Sequence, residues 1–126
     1  MAISQKISNK KPSGAKLRRT LKKRMHELGR LPTFTKLGER QIKSVRVLGG
    51  NIKHKLQKEE KINAYNPKTK KAEQATIKTV IDNKANKNFI RRNILTKGTL
   101  VDTDKGQVKI TNRPGQEGTI NGLLVQ

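Results

Sequence analysis

The chain has 126 residues, enough for one small domain, and only 31% of them are hydrophobic, so a core drawing on the whole length is excluded. Its 30 Lys and Arg against 9 Asp and Glu give a formal charge of +21, which calls for an anionic partner or high salt to offset self-repulsion. Cysteine is absent, which removes disulfides, thiolate catalysis and cysteine-based zinc sites. His26 and His54 lack metal-ligand spacing, and no apolar run is long enough to span a bilayer. The opening MAISQKISNKKPSG has no apolar stretch of the signal-peptide kind, so a cytoplasmic location is expected.

Charge is uneven along the chain. Residues 1–46 carry 14 Lys and Arg with only Glu27 and Glu39 as acids, a net charge of +12, while the remaining residues carry +9. Residues 1–12 read as an extended arm, too poor in apolar groups to fold alone. Leu17, Leu21, Met25 and Leu28 recur at helical spacing, with Ser13 as a cap and Gly29 as a stop, and predict a short helix over about 14–28. Lys16, Arg18, Arg19, Lys22, Lys23 and Arg24 surround that stripe and suit phosphate contacts. A solvated helix covering its own domain, or a basic amphipathic membrane helix, would show the same pattern. Residues 30–41, RLPTFTKLGERQ, read as irregular chain.

From about Ile42 the period changes to two. SVRVLGGN (44–51) is a short strand followed by two glycines, and NIKHKLQ alternates Ile52, His54 and Leu56 against Lys53 and Lys55. NPKTKK (66–71) is a polar turn. ATIKTVI places Ala75, Ile77, Thr79 and Ile81 on one face, and NKANKNFIRRN (83–93) is a basic connection with room for one helical turn. TLVDT and QVKIT flank a hairpin turn at Asp104-Lys105-Gly106, and TINGLLV follows the loop from Arg113 to Gly118. Five to seven short strands with glycine-marked turns predict a mostly β protein, a small antiparallel barrel over 42–126 behind a basic, extended arm over 1–41 that contains the short helix. The expected core is Val45, Val47, Ile52, Leu56, Ile77, Ile81, Ile94, Leu100, Val108, Ile110, Ile120 and Leu123.

The acids form no catalytic group. Glu59 and Glu60 are adjacent and would diverge on a strand, and Asp102 with Asp104 suits a polar hairpin end. No Gly-x-x-x-x-Gly-Lys-Ser/Thr occurs, so Gly49-Gly50 is not a nucleotide-phosphate loop, and an enzyme is not expected. No cofactor, metal or small-molecule substrate is implied. Phe34, Tyr65 and Phe89 are too scattered to make a base-stacking platform, while Lys, Arg, Asn and Gln suit phosphates and 2′-hydroxyls. Without a helix-turn-helix or zinc finger, folded RNA read by shape and backbone is a better partner than duplex DNA.

KPSGAK (11–16), ELGR (27–30), PTFTKLG (32–38), SVRVLGGN (44–51), RRNILTKG (91–98) and TNRPGQEGTIN (111–121) occur in an order that resembles the archaeal branch of the small-subunit ribosomal protein S-eight-e family. The resemblance implies a structural constituent of the 30S subunit, cytoplasmic on the ribosome. It would bind 16S rRNA and lie beside other small-subunit ribosomal proteins, with no membrane partner. Carried onto this chain, the implied RNA contacts are Lys11, Lys16, Arg30, Lys36, Arg46, Asn51, Arg91, Arg92, Lys97 and Arg113. Lys10, Arg40, Gly49, Gly50 and Lys53 join the helix cations to complete the candidate rRNA-binding set. Where this chain has Leu48 the family usually has Arg, so a phosphate contact is lost there or replaced by packing. Gly49-Gly50 serve the turn alone, or serve the turn and a close approach to RNA. The alternative function is a free-standing RNA chaperone or general nucleic-acid-binding protein.

Overall fold

The computed structural model describes residues 8–18 and 24–125. Two compact units are distinguished, residues 1–32 and residues 33–126.

In the first unit the chain doubles back instead of starting a helix. Gly14, at φ +83°, closes a turn in which its N–H donates to the Lys11 carbonyl (2.9 Å). The Lys11 N–H donates to Ala15 (2.8 Å), the Leu17 N–H donates to Asn9 (2.9 Å), and Lys10 and Lys16 form an antiparallel bridge. The Ala15 carbonyl, which an α-helix would use four residues on, is taken by Lys11, and residues 14–18 are not helical, so the expected 14–28 helix is corrected over residues 14–18. Toward the other end, Met25–Glu27 form a helical turn of the 3-10 type. Arg19, Lys22 and Lys23 lie outside the described residues.

Among the described residues the second unit contains nine strands, β1 Thr35–Lys36, β2 Gln41–Arg46, β3 Ile52–Lys58, β4 Lys61–Asn66, β5 Lys71–Asp82, β6 Ile94–Leu95, β7 Leu100–Thr103, β8 Gly106–Ile110 and β9 Asn121–Leu124. Two single-turn helices join them, α1 Asn88–Arg91 and α2 Pro114–Glu117. β4-β5-β7-β8-β9 close into a barrel, and β2-β3-β1-β6 form a second sheet. The barrel is antiparallel except at its seam, where β4 and β9 run parallel with Ala64 opposite Gly122. An odd number of strands forces this, because directions that alternate around five strands bring the first and last together pointing the same way.

The turns follow from their residues. Asp104 and Lys105 link β7 to β8, with Gly106 at φ +116° and the Thr103 hydroxyl donating to the Gly106 carbonyl (2.6 Å). The Asp104 carboxylate accepts from the Thr76 N–H (3.0 Å), which gives it a structural role at the hairpin end. Asn66 accepts from the Lys68 N–H (3.0 Å) and shapes the 67–70 turn.

Both sheets feed one core built around Leu56, Ile62, Ala64, Ala75, Ile77, Val80, Leu95, Val101, Val108, Ile110 and Ile120, with Ile94 also buried. Each large aliphatic side chain there contributes about 1.5–3 kcal/mol. Six expected core positions are buried: Leu56, Ile77, Ile94, Val108, Ile110 and Ile120. Val45, Val47 and Leu100 are half-buried, whereas Ile52, Ile81 and Leu123 are exposed. Ile52 lies at the turn end of the β2–β3 ribbon, Leu123 faces outward from β9, and Ile81 follows a register shift in β5.

Residues 30–41 are more ordered than their composition suggests. β1 lies between β3 and β6, Thr35 is fully buried, and its hydroxyl donates to the Leu56 carbonyl (2.8 Å).

Candidate nucleic-acid interface

In the first unit Lys10, Lys11, Lys16, Arg18, Arg24 and Arg30 are all exposed. The turn at Gly14 sets Lys10 and Lys16 opposite one another, a juxtaposition of like charges that favours an anion between or beside them.

In the second unit the candidates fall on three connections and one ribbon, with Lys36 on β1 and Arg40 just before β2. β2 and β3 pair from Ile42↔Leu56 to Arg46↔Ile52. One face of the ribbon carries Lys43, Lys53 and Lys55, with Lys43 directly opposite Lys55 and Val45 opposite Lys53. The other face carries Ser44, Arg46 and His54, and the Ser44 hydroxyl and His54 Nδ1 share a hydrogen bond of 3.0 Å. Residues 41–58 hold five Lys or Arg and no acid.

The ribbon turns through Leu48–Gly50, closed by the Val47 N–H donating to the Asn51 carbonyl (2.8 Å). Gly49 and Gly50 sit at φ +77° and +79°, a region that costs any other L-residue about 1–2 kcal/mol. A Cβ on Gly50 would have Arg46 Nη2 as its nearest neighbour, at 4.0 Å, so conformation and not crowding demands glycine there. The turn role is thus explicit, and the open space leaves the backbone accessible beside the Arg46 guanidinium. Leu48 is 93% exposed and packs on nothing in its own unit.

The second connection runs from α1 to β7. Asn93 takes φ +48° at the end of α1, and its carbonyl accepts from the Leu37 N–H (3.2 Å), which brings Arg91 and Arg92 beside β1. Buried Asn83 fixes the following segment. Its Nδ2 donates to the Ile94 carbonyl (3.2 Å), and its Oδ1 accepts from the Ala85 N–H (3.0 Å) and the Thr96 hydroxyl (3.2 Å). The Gly98 N–H donates to Ile110 (2.8 Å) and the Ile110 N–H to Thr99 (2.9 Å), so the Lys97 turn lies alongside the end of β8.

The third connection carries Arg113, at the start of α2. The Arg113 N–H donates to the Glu117 carboxylate (3.2 Å), while Asn112 Nδ2 donates to the Thr119 carbonyl (2.7 Å) and its Oδ1 accepts from the Asn121 N–H (3.0 Å). A Cβ on Gly118 would lie 3.3 Å from His54 Cβ, so α2 braces the middle of β3. Gly115 is closer still, since its Cβ would lie 2.8 Å from the Thr33 carbonyl.

The side chains of Lys36, Arg46, Lys53, Arg91, Arg92, Lys97 and Arg113 are exposed and pair with no carboxylate among the described residues. Arg40 differs, because its Nε lies 3.4 Å from Glu59, which is 5% exposed and also accepts from the Lys61 N–H. Sequence reasoning passed over Lys58, which sits opposite Lys36 across the parallel β1–β3 pair and lays its Cδ 3.5 Å from where a Gly38 Cβ would be. It also left out Lys43 and Lys55, although lysine at alternate strand positions is itself the signal of a basic sheet face.

Phe34 and Phe89 pack against each other, ring centroids 5.4 Å apart, which leaves Tyr65 alone on the outside of the barrel. Among the described residues no group of three or more His, Asp or Glu stands within metal-binding reach, and no helix is long and apolar enough to cross a membrane. Asp104, Glu59, Glu73 and Glu117 are taken up by backbone amides or ion pairs.

Exposed cations on strands and held turns, with Asp104, Glu59, Glu73 and Glu117 engaged within the fold, define a basic protein suited to a polyanion. The chain belongs to the Ribosomal protein S8e family, whose model matches residues 4–125. It is 54% identical over 108 residues to the small ribosomal subunit protein eS8 of Nanoarchaeum equitans, covering 86% of this chain and 85% of that protein. The eS8 proteins of Picrophilus torridus and Methanobrevibacter smithii are 45% and 46% identical over 125 residues, 99% of this chain and the whole of each relative. All three relatives are archaeal, and the family is structural and not enzymatic in kind.

Proposed function

We propose that this chain is a structural constituent of the small ribosomal subunit in the cytoplasm and binds 16S rRNA through phosphate and shape contacts. The observation that carries this reading is the end-to-end match to relatives named as small ribosomal subunit proteins. The geometry supports it, since Arg91, Arg92, Lys97 and Arg113 sit on or beside connections fixed by buried Asn83, Thr99 and Asn112, while Lys36, Arg46 and Lys53 sit on paired strands. Preorganised side chains lose less entropy when they meet phosphate. Arg91, Arg92 and Arg113 supply planar forks for bidentate contacts, and the lysines supply point charges. Residues 1–32 act as an rRNA-binding arm, and 33–126, a closed barrel and a second sheet sharing one core, dock as a preformed unit beside neighbouring subunit proteins. Gly49 and Gly50 admit the RNA backbone next to Arg46 and Asn51.

Sucrose-gradient fractionation of native extract, in moderate and then high salt, tests the reading. The expected result is about one copy per 30S particle through both washes. Protein that stays at the top of the gradient, or spreads over all nucleic acid, would instead mark a general nucleic-acid binder.

A further inference from the structure

The turn end of the β2–β3 ribbon combines exposed apolar side chains with an acid-free basic segment. Leu48 and Ile52 are 93% and 61% exposed, large apolar side chains with no cover in their own unit. They stand on a segment, residues 41–58, without a single acid and with five Lys or Arg. Lys43 and Lys55 face each other directly across the strands, which destabilises the free ribbon. β1 pairs with β3 only at Lys58 and α2 braces β3 at His54, so the turn end is two-stranded, and opposed lysines kept there suit an anionic surface.

Phosphate satisfies the lysines and Arg46, but it offers nothing to leucine or isoleucine. Continuous A-form duplex offers little either, because base faces are hidden in the stack and the shallow groove presents hydroxyls and base edges. Apolar surface becomes available where bases are unstacked, and aliphatic side chains use such faces when they wedge into nucleic acid. We infer that Leu48 and Ile52 cover the faces of unpaired nucleotides at a loop, bulge or junction, with Arg46, which pairs directly with Ile52, holding a flanking phosphate and Lys43, Lys53 and Lys55 on the opposite ribbon face meeting the backbone as it passes. This rests on the rRNA-binding reading above and deepens it, assigning the ribbon end to non-helical RNA. An apolar pocket on a neighbouring protein is the rival occupant. It would have to be strongly acidic to tolerate the ribbon.

The test uses the full chain and protein-free 16S rRNA transcript, with filter binding over a range of salt and chemical probing of nucleotide flexibility. Leu48→Ser with Ile52→Ser is expected to weaken binding about tenfold or more, as the loss of two buried aliphatic side chains implies. The slope of affinity against salt should be unchanged, since no charge is removed. A cluster of unpaired nucleotides that wild type protects should regain reactivity, while Leu48→Met with Ile52→Val should keep both affinity and protection. The inference is overturned if the double serine variant binds the transcript like wild type, or if protection falls only within duplex. Normal binding to bare rRNA with loss from assembled subunits also overturns it and places the ribbon end on protein. If wild type itself shows no specific binding, the rRNA reading fails, and that is read from the wild-type curve alone.

Discussion

Arg40 and Arg92 both belong to the basic set read from the sequence, yet their neighbours separate them. Arg40 balances Glu59, whose carboxylate is almost entirely buried, whereas Arg92 pairs with no acid among the described residues. Arg40→Ala strands a buried charge, although the guanidinium itself is more than half exposed, which limits the loss to about 1–2 kcal/mol. Urea unfolding should show that loss for Arg40→Ala and almost none for Arg92→Ala, while rRNA binding should reverse the order. Glu73 provides a second residue-level expectation. Hydrogen bonding and ion pairing with Lys105 lower its pKa from 4.5, with Lys71 adding a smaller effect in the same direction. A depressed carboxylate stabilises the fold above its unfolded-state pKa and loses that contribution as pH falls through the folded value. Wild type and Glu73→Gln should therefore differ slightly in thermal midpoint at neutral pH and converge on acidification below 4.5.

Among the elements, β5 shows best what the sequence does and does not disclose. Read as a plain alternation, ATIKTVI puts Ala75, Ile77 and Ile81 inside. The strand pairs with β7 through register shifts between Ile77 and Thr79 and between Val80 and Asp82. An extra residue turns the strand by one position, so Val80 is 6% exposed and Ile81 is 42% exposed. Val80→Ala should cost about 1–3 kcal/mol in chemical denaturation, and Ile81→Ala less than about 0.5 kcal/mol. Local pattern located β5, the β7–β8 hairpin and the Gly49-Gly50 turn, because side-chain alternation and turn chemistry are local. A shift that depends on the partner strand is not. For the same reason Thr35, in a two-residue strand held by β3 and β6, looked like loop, and Lys58 went unnoticed until its position opposite Lys36 was set. In the first unit a helical stripe was legible, but a proline and a left-handed glycine turned residues 11–15 the other way.

At the scale of the whole molecule, a charge of +21 makes counterion release the dominant expectation. Affinity for rRNA should fall steeply with salt, by roughly one unit of log–log slope per neutralised phosphate. Residues 1–32 contribute 10 Lys and Arg, so removing them should flatten that slope by several units in filter binding, and an unchanged slope would refute the arm. The cut must fall ahead of Thr33. A deletion through residue 41 also takes β1, with buried Thr35 and its bond to Leu56, and would report damaged folding instead of lost phosphate contacts.

The parallel seam sets an order of events during synthesis. β4 finds its last neighbour only in β9, and the side chains of Asn63 and Asn121, joined across that seam at 3.0 Å, are 58 positions apart. Until β9 leaves the translating ribosome, β4 has a bare edge and the ring stays open. Lys61 and Asn63 on that edge discourage a foreign strand from pairing with it. The basic segment made first is thus free to find polyanion before the barrel exists, and closure is the final act.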